Sequence, residues 1–311
     1  MTARFKDKVA LVSGGRSGIG FAIAKRLLQE GATVCITSRK QELLEAAANE
    51  LSAIGSCFAF ACDIRESEQV KTLMEFIKSK AGRLDVLVNN AGGQFPVLAE
   101  YLNDKGWNAV INNNLNGTFY MTREAANTFF IPQQSGSIVN ITASISRGAP
   151  GMIHTGAARA GVENMTKTLA LEWSGFNIRI NCIAPGIIDS DGLKTYGDEI
   201  RGKMNQAAEA VPMKRLGTTD EVAAAVCFIA SDATALAPFS QNSAAERPPS
   251  GSGQAQLGQS KPPAWLMPSS AFVPRTTPAL PKTCWREETT AGVPAACSFG
   301  AVNRGSLTPA T

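Results

Sequence analysis

Short apolar runs alternate with helical periodicity from the start of the chain to about Ala237. The apolar runs predict six strands, at Val9–Ser13, Thr33–Ser38, Ser56–Cys62, Val86–Asn89, Ser137–Ile141 and Arg179–Ile183. Between them the periodicity predicts helices at Gly18–Glu30, Gln41–Leu51, Glu68–Lys80, about Trp107–Phe130 and Ala157–Trp173. The strands are apolar throughout rather than alternating, so we expect helices on both faces of one sheet.

Strand–helix alternation at this rhythm predicts right-handed crossovers and therefore a parallel sheet. The expected fold class is α/β, a Rossmann-type doubly wound parallel sheet with helices on both faces. A further helix is expected over Asp220–Ala230, because Thr218 and Glu221 have the spacing of a capping box at its start.

The composition changes past Pro238. Ten of the 16 prolines lie beyond that residue, among Ser, Gly, Gln and Thr without periodicity. Such a segment buries too little apolar surface to offset the entropy lost on ordering. We therefore expect one folded domain over residues 1–238 and a disordered, Pro/Ser/Gly-rich tail over residues 239–311.

Charge and cysteine content exclude several classes of protein. The net charge is +4, and the tail contributes +3 of it, so the domain has no basic excess for nucleic acid. No apolar run approaches the roughly 20 residues of a membrane span, and the polar start, Met1–Lys8, is not typical of a signal peptide. The seven cysteines form no CxxC pair and have no histidine partners, which favours reduced thiols and no metal site.

A glycine-rich loop follows the first predicted strand and opens the first helix. Gly14 permits a tight turn, Gly18 lets the backbone approach a diphosphate, and Gly20 lets the helix pack against the strand. The helix N-terminus adds free N–H groups and partial positive charge. Glycines also mark ordinary turns, but this strand–loop–helix setting predicts a dinucleotide site. The loop residues expected to line it also include Arg16, Ser17 and Ile19.

The end of the second strand carries Ser38, Arg39 and Lys40 instead of an acid. A carboxylate there would bind a ribose 2′-hydroxyl, whereas a guanidinium binds a 2′-phosphate with paired, charge-assisted bonds. Ser38 and Arg39 therefore predict NADPH rather than NADH. The alternative reading of Arg39 is a solvated charge at a helix start.

Three further motifs complete a set that resembles the short-chain dehydrogenase/reductase family over residues 5–235: Asn89-Asn90-Ala91-Gly92, Asn114-Leu115-Asn116-Gly117 and Pro185-Gly186. The resemblance implies that Asp63 and Ile64 flank the adenine and that Asn114 holds a catalytic water. It also implies that Asn90, Ala91 and Gly92 line the cofactor, while Pro185, Gly186 and Ile188 surround the nicotinamide.

Within that family the chain resembles the peroxisomal trans-2-enoyl-CoA reductase branch and its dienoyl-CoA reductase relatives. The stretches that carry this resemblance are Gly92-Gly93-Gln94-Phe95, Gly106-Trp107, Gly117–Met121 and His154–Val162. Most of the family has Tyr-x-x-x-Lys in the last stretch, and the corresponding positions here are Thr155 and Arg159. By resemblance, Arg159 replaces the lysine at the nicotinamide ribose and Gln94 binds a thioester carbonyl.

These departures favour one reaction. Ketone reduction must protonate an alkoxide, and the chain lacks the tyrosine motif that does so. Reduction of a 2-enoyl thioester chiefly needs a hydrogen-bond donor at the enolate oxygen. The expected activity is therefore NADPH-dependent enoyl-CoA reduction in fatty acid metabolism, with Gln94, Asn114, Thr155 and Arg159 as catalytic residues. A carbonyl or alcohol oxidoreductase and a catalytically impaired nucleotide-binding remnant are the alternatives.

The proton source is left open among Tyr196, His154, Thr155, Glu163 and water. Glu163 has the spacing for i,i+4 ion pairs with Arg159 and Lys167, which is the plainer reading of that residue. Thr155 is equally suited to capping a helix, and a histidine at a helix start is commonly solvated or capping.

The family's seventh strand and its Val-Asp-Gly-Gly ending have no counterpart after the last predicted helix, so we expect that strand to be missing. Family members are usually tetramers or dimers, an assembly that this loss puts in question. The final residues, Pro309-Ala310-Thr311, are not a peroxisomal signal, and a cytoplasmic protein is expected.

Overall fold

Six parallel strands form the central sheet, in the order β3-β2-β1-β4-β5-β6. The computed structural model describes residues 3–144, 148–194, 202, 208–209 and 211–234. The strands are β1 (Val9–Ser13), β2 (Thr33–Ser38), β3 (Cys57–Ala61), β4 (Val86–Asn89), β5 (Gly136–Ile141) and β6 (Ile178–Ile183). The order reverses direction at β1, so the carboxyl ends of β1 and β4 flank a crevice where ligands bind in such sheets. The predicted doubly wound α/β fold is confirmed.

Helices connect the strands. They are α1 (Gly18–Gln29), α2 (Gln41–Ser52), α3 (Ser67–Ala81), α4 (Asp104–Ile111), α5 (Gly117–Ala125), α6 (Ile131–Gln133), α7 (Ile153–Glu172), α8 (Asp191–Lys194) and α9 (Thr219–Ala230). Short 3-10 turns lie at Ala99–Tyr101, Ser174–Phe176 and Asp232–Thr234, and Ile188–Asp189 (β7) pairs with Gly217–Thr218 (β8). Within the described ranges no helix is long and apolar enough to cross a membrane.

The single long helix predicted over about Trp107–Phe130 is divided. α4, α5 and α6 follow one another through π-helical segments at Asn112–Asn116 and Ala126–Phe130. The run begins at Asp104, where the side chain of Asn103 caps α4 by accepting the N–H of Gly106 at 2.8 Å. π-helical turns of this kind are frequent at functional sites, because they displace a side chain from the regular helical stripe.

Apolar side chains cover both faces of the sheet. On one face, Ile36 of β2 packs with Leu27 of α1 and Val226 of α9. On the other face, Leu87 of β4 packs with Leu73 of α3 and with Phe130, the last residue of the π-helical segment after α5. Because the central strands β1, β4 and β5 are buried at every position, their sequences have no polar alternation, which is the pattern that predicted the strands.

The capping box at the start of α9 is confirmed: Thr218 Oγ1 accepts the Glu221 N–H, and a Glu221 carboxylate oxygen accepts the Thr218 N–H at 2.8 Å. At the other end of α9, the Arg179 guanidinium donates to the carbonyls of Ile229 at 2.8 Å and Ala230 at 2.9 Å. These bonds satisfy carbonyls that a helix end leaves without partners. Among the residues described, none forms a strand beside the outer edge of β6; the predicted tail, 239–311, lies outside them.

α7 begins at Ile153, four residues before the predicted start at Ala157. The predicted start was wrong because apolar periodicity does not reveal side-chain hydrogen bonds to the backbone. In the extra turn, Nδ1 of the His154 ring accepts the backbone N–H of Thr155 at 2.8 Å. The N-cap position is Met152, so Thr155 lies inside the helix and does not cap it.

Candidate active site

A cavity of about 610 Å³ opens at the carboxyl ends of β1, β2, β4 and β5. Most of the predicted site residues line it: Gly14, Arg16, Ser17, Gly18, Ile19, Ser38, Arg39, Asp63, Ile64, Asn90, Ala91, Gly92, Gln94, Arg159, Pro185, Gly186 and Ile188. Gly20, Asn114 and Thr155 are not among the lining residues. Gly20 packs against Gly14 and Asn114 is bonded to Gly93, both of which line the cavity, whereas Thr155 contacts His154, which does not. The motifs quoted from separate parts of the sequence therefore converge on one space.

Two glycines of the loop after β1, Gly14 and Gly20, are packed too tightly to be replaced by a residue with a side chain. Gly14 has φ +67°, and a Cβ on Gly20 would lie 2.3 Å from the Gly14 carbonyl oxygen. Asn90 holds the same turn from β4, because its side-chain amide donates to the Ser13 carbonyl at 3.0 Å. The N-terminus of α1 has no acid in its first turn, so its partial positive charge is available to an anion in the cavity. This cradle fits a dinucleotide diphosphate.

The far end of the cavity carries cations and a hydroxyl without a partner. Ser38 Oγ is buried and forms no hydrogen bond with any described residue. Arg39 and Lys40 line the cavity beside it. Asp63 is engaged by Arg65, whose hydrogen bonds lower the pKa of that carboxyl. A ligand phosphate at this end would find both positive charge and an orphaned donor.

Arg159 is the most unusual charge in the cavity. It is 7% exposed, its Nη1 donates to the Ile141 carbonyl at 2.8 Å, and its Nη2 lies against Gly92, where a Cβ would come within 2.5 Å. Nε is buried without a partner, and no carboxylate pairs with the guanidinium among the described residues. Burial lowers the pKa of Arg159 to about 10, so the side chain remains a cation at neutral pH. The ion pair considered between Glu163 and Arg159 is not formed, since the guanidinium points inward.

The side chain of Asn114 connects the helical segment after α4 to the loop that follows β4. It lies in the π-helical segment and is fully buried. Its side-chain amide donates to the Gly93 carbonyl at 2.7 Å, and its carbonyl oxygen accepts the Gly93 N–H at 3.2 Å. These two bonds fix the backbone beside Gln94, which lines the cavity. Whether Asn114 also holds a water, as the family resemblance implies, stays a prediction.

A buried polar ladder ties the sheet to α7. Asn89 of β4 donates its amide to Thr122 Oγ1 at 2.9 Å and to Asn140 Oδ1 at 2.8 Å. Asn140 of β5 in turn donates to Thr166 Oγ1 of α7 at 2.9 Å. All four side chains are buried. The helix that carries Arg159 is thereby bonded directly to β5 and, through Asn140, to β4.

No tyrosine of the described residues lines the cavity. Tyr101 is 74% exposed, and Tyr120 packs against the α3 side of the core. Tyr196, one of the candidate proton donors, lies outside the described residues. Thr155 is buried, with its hydroxyl 3.3 Å from His154 Nδ1.

Several lining residues were not predicted from the sequence to belong to the site. They are Thr37, Cys62, Gly93, Asn113, Ile141, Thr142, Ala143, Ile187, Ser190 and Gly192, together with Lys40, which was noted only as a charge. Thr142 and Ala143 directly follow β5, and residues just past the carboxyl end of a parallel strand belong to the ligand crevice. That position was the available signal for them. For Ile187 and Ser190, the sequence offered no comparable indication except that they follow Pro185-Gly186 closely along the chain.

The strand order, the glycine loop and the converging motifs define a dinucleotide-binding oxidoreductase fold. The family described as enoyl-(acyl carrier protein) reductase matches residues 14–237. The chain belongs to the short-chain dehydrogenase/reductase family and is an oxidoreductase that uses a nicotinamide cofactor.

Particular relatives differ in the reactions their names describe. The chain is 40% identical to a probable 2,4-dienoyl-CoA reductase of Bacillus subtilis, over 73% of this chain and 91% of that protein. It is 37% identical to a 3-oxoacyl-[acyl-carrier-protein] reductase of Thermotoga maritima, over 74% and 92%. Among solved structures it is similar to an actinorhodin polyketide ketoreductase with NADPH, at 28% identity and a TM-score of 0.70, over 76% and 95%. The relatives therefore include both alkene and ketone reductases.

Proposed function

We propose that the protein reduces the 2,3-double bond of a trans-2-enoyl-CoA thioester with NADPH. The observation that carries the proposal is Arg159, a buried cation that lines the cavity and has no carboxylate partner among the described residues. By family resemblance, a ketone reductase has at this position a lysine that acts with a tyrosine. A cation that keeps its proton at neutral pH suits a reaction in which negative charge develops and is stabilised.

The two candidate reactions make different demands on the protein. Hydride addition to a ketone produces an alkoxide, a strong base that needs an acid within hydrogen-bond reach. Hydride addition to the β-carbon of an enoyl thioester places the charge on the thioester oxygen as an enolate. Hydrogen-bond donors and a nearby cation stabilise that oxygen, and the α-carbon then takes its proton from a weak acid or water. The described lining residues supply the second set of groups.

The residues of the chain divide the work as follows. The α1 N-terminus and the loop from Gly14 to Gly20 bind the diphosphate, and Ser38 with Arg39 binds the 2′-phosphate. The nicotinamide supplies the hydride when it is bound. Arg159 fixes the adjoining ribose through its forked donors, and Gln94 donates its amide N–H to the thioester oxygen. Asn114 keeps Gln94 in place through the two bonds to Gly93.

Replacing Arg39 with alanine tests the choice of cofactor. The KM for NADPH is expected to rise about 10- to 100-fold, because a charge-assisted bond to phosphate contributes roughly 1.5–3 kcal/mol. The KM for NADH, which lacks the 2′-phosphate, is expected to change less than about twofold. Steady-state kinetics with both cofactors measure this. An equal loss with NADH would show that Arg39 does not contact the phosphate.

Replacing Gln94 with alanine tests the reaction itself. NADPH oxidation is expected with crotonyl-CoA and decenoyl-CoA, and the variant is expected to lose about 10²–10³ in kcat with little change in NADPH affinity. Gln94→Glu removes the donor at nearly constant volume and should be as impaired. An active Gln94→Ala enzyme would remove the residue from the mechanism.

A second function, reduction of 3-oxoacyl thioesters, is favoured by the relatives named for it, such as the Thermotoga maritima protein. Acetoacetyl-CoA and acetoacetyl-acyl carrier protein in the same assay separate the two. Turnover of these substrates without turnover of crotonyl-CoA would replace the proposal. Cofactor binding with turnover of neither class would instead select the impaired nucleotide-binding remnant.

A further inference from the structure

The first turn of α7 contains a fully buried imidazole. His154 is the only histidine of the chain and is 0% exposed. Its Nδ1 accepts the backbone N–H of Thr155 at 2.8 Å. The first N–H groups of a helix have no partner within it, so this bond takes over part of the cap that Met152 does not supply.

That bond determines where the proton of the neutral ring resides. A nitrogen that accepts a hydrogen bond carries no proton, so the neutral imidazole of His154 is protonated at Nε2. Nε2 is buried and has no hydrogen-bond partner among the described residues. A buried donor without an acceptor costs free energy, and such groups in folded proteins often serve catalysis.

The surroundings of the ring connect it to the substrate side of the cavity. The ring of Phe95 packs edge-on against His154, with centroids 4.9 Å apart and planes at 82°. Phe95 is 39% exposed and directly follows Gln94, which lines the cavity. The Val97 N–H donates to the Gly151 carbonyl at 2.8 Å, which holds this loop across the residues just before α7. Phe95 therefore contacts His154 on one side and solvent on another.

We propose that His154 is a second hydrogen-bond donor to the acyl carbonyl oxygen of the substrate, acting as a neutral imidazole through Nε2–H. The acyl group displaces Phe95 from the ring and supplies the acceptor that Nε2 lacks. The inference rests on the proposed function, since the oxygen in question is the one that becomes an enolate oxygen. It assigns His154 a hydrogen bond and no proton transfer: loss of the Nε2 proton would leave an imidazolate, and a proton added at Nδ1 would break the bond to Thr155.

Two substitutions separate this role from a purely structural one. In His154→Gln the terminal amide N–H reaches the position of Nε2 but the acceptor for Thr155 is lost. In His154→Asn the side-chain oxygen takes the place of Nδ1 but the donor is lost. We expect kcat/KM for crotonyl-CoA to fall about 100-fold in His154→Asn and less than about fivefold in His154→Gln, while NADPH affinity stays unchanged in both.

Thermal melts give the opposite order. His154→Gln is expected to melt at a lower temperature than His154→Asn, because only the asparagine variant retains the acceptor for the helix N–H. A helix cap without a catalytic task would make activity follow stability, with His154→Asn the more active variant. That result would overturn the proposal.

Because the chain has one histidine, imidazole ¹⁵N NMR of the full chain with NADP⁺ reports on this ring alone. We expect the Nε2–H tautomer, and a downfield shift of the Nε2 proton when butanoyl-CoA is added. An Nδ1–H tautomer, or an unshifted proton when calorimetry shows that butanoyl-CoA binds, would overturn the inference and leave enoyl-CoA reduction standing. If no acyl-CoA is bound or reduced, the proposed function fails and this inference fails with it.

Discussion

Arg159→Met is expected to lower kcat/KM for crotonyl-CoA by about 10²–10³ without lowering the melting temperature. The loss of activity follows because the variant removes a positive charge that is buried at the reacting end of the cavity. Stability behaves differently, since within the described ranges the buried cation meets no carboxylate. Burial lowers its pKa to about 10, so the folded state holds the charged form at a cost.

The sign of that cost sets the conditions for the measurement. The folded-state pKa is depressed for a cation, so the penalty is fully present below about pH 10 and is relieved as the pH rises above that value. At pH 7 an apolar side chain of similar length removes the penalty, and the melting temperature is expected to hold or rise. Steady-state kinetics and a thermal melt of Arg159→Met at pH 7 test the expected loss of activity and the expected melting temperature.

Arg179→Met is the matched control. Its guanidinium is half-buried and also lacks a carboxylate hydrogen-bond partner among the described residues, but it donates to the carbonyls at the end of α9, outside the cavity lining. We expect the melting temperature to fall and the kcat/KM of the folded protein to be retained. Loss of activity in both arginine variants in proportion to stability would mean that Arg159 is only structural. Arg159→Lys, which keeps the charge and loses the fork, is expected to be intermediate.

Gly20→Ala is expected to raise the Kd for NADPH by about 10- to 100-fold and to lower the melting temperature. The added methyl group would lie 2.3 Å from the Gly14 carbonyl oxygen and 2.5 Å from Asn90 Nδ2, so α1 must move away from β1. Overpacking of this kind costs roughly 1–3 kcal/mol, and here the displaced atoms form the diphosphate cradle. Fluorescence titration with NADPH measures the affinity.

Gly175→Ala serves as the control for that substitution. A Cβ at Gly175 meets no atom within 4 Å, and the residue lies in the 3-10 turn after α7, outside the cavity lining. Both the Kd and the melting temperature are expected to match those of the parent protein. Wild-type NADPH affinity in Gly20→Ala would show that the loop accommodates the methyl group and that the close packing does not govern binding.

The sheet and the cofactor end of the site were predictable from sequence because their signals are local. β1 and β2 agree with the structure in their bounds, since strands buried on two faces leave uninterrupted apolar runs. The glycine loop was recognisable because its spacing reflects backbone contacts within one strand–loop–helix unit.

The reacting end was less predictable, because its properties arise from contacts between distant segments. The first turn of α7 contains a bond to a ring nitrogen of His154, and the position of the Arg159 guanidinium depends on Ile141 at the end of β5 and on Gly92 in the loop after β4. Neither contact has a periodic signal. The π-helical segment around Asn114 was likewise missed, since its residues continue the helical pattern on both sides.

The hydrogen bonds from Asn89 through Asn140 to Thr166 hold α7 in one position on the sheet. Apolar contacts are not directional and tolerate small shifts. A shift of α7 would instead leave buried amide and hydroxyl groups without hydrogen-bond partners, at a cost of about 1–3 kcal/mol each. These directional bonds thereby determine the distance between Arg159 on α7 and the glycine-rich loop after β1. Substitutions among the apolar residues around these bonds should then lower the stability of the protein without changing the reaction that it catalyses.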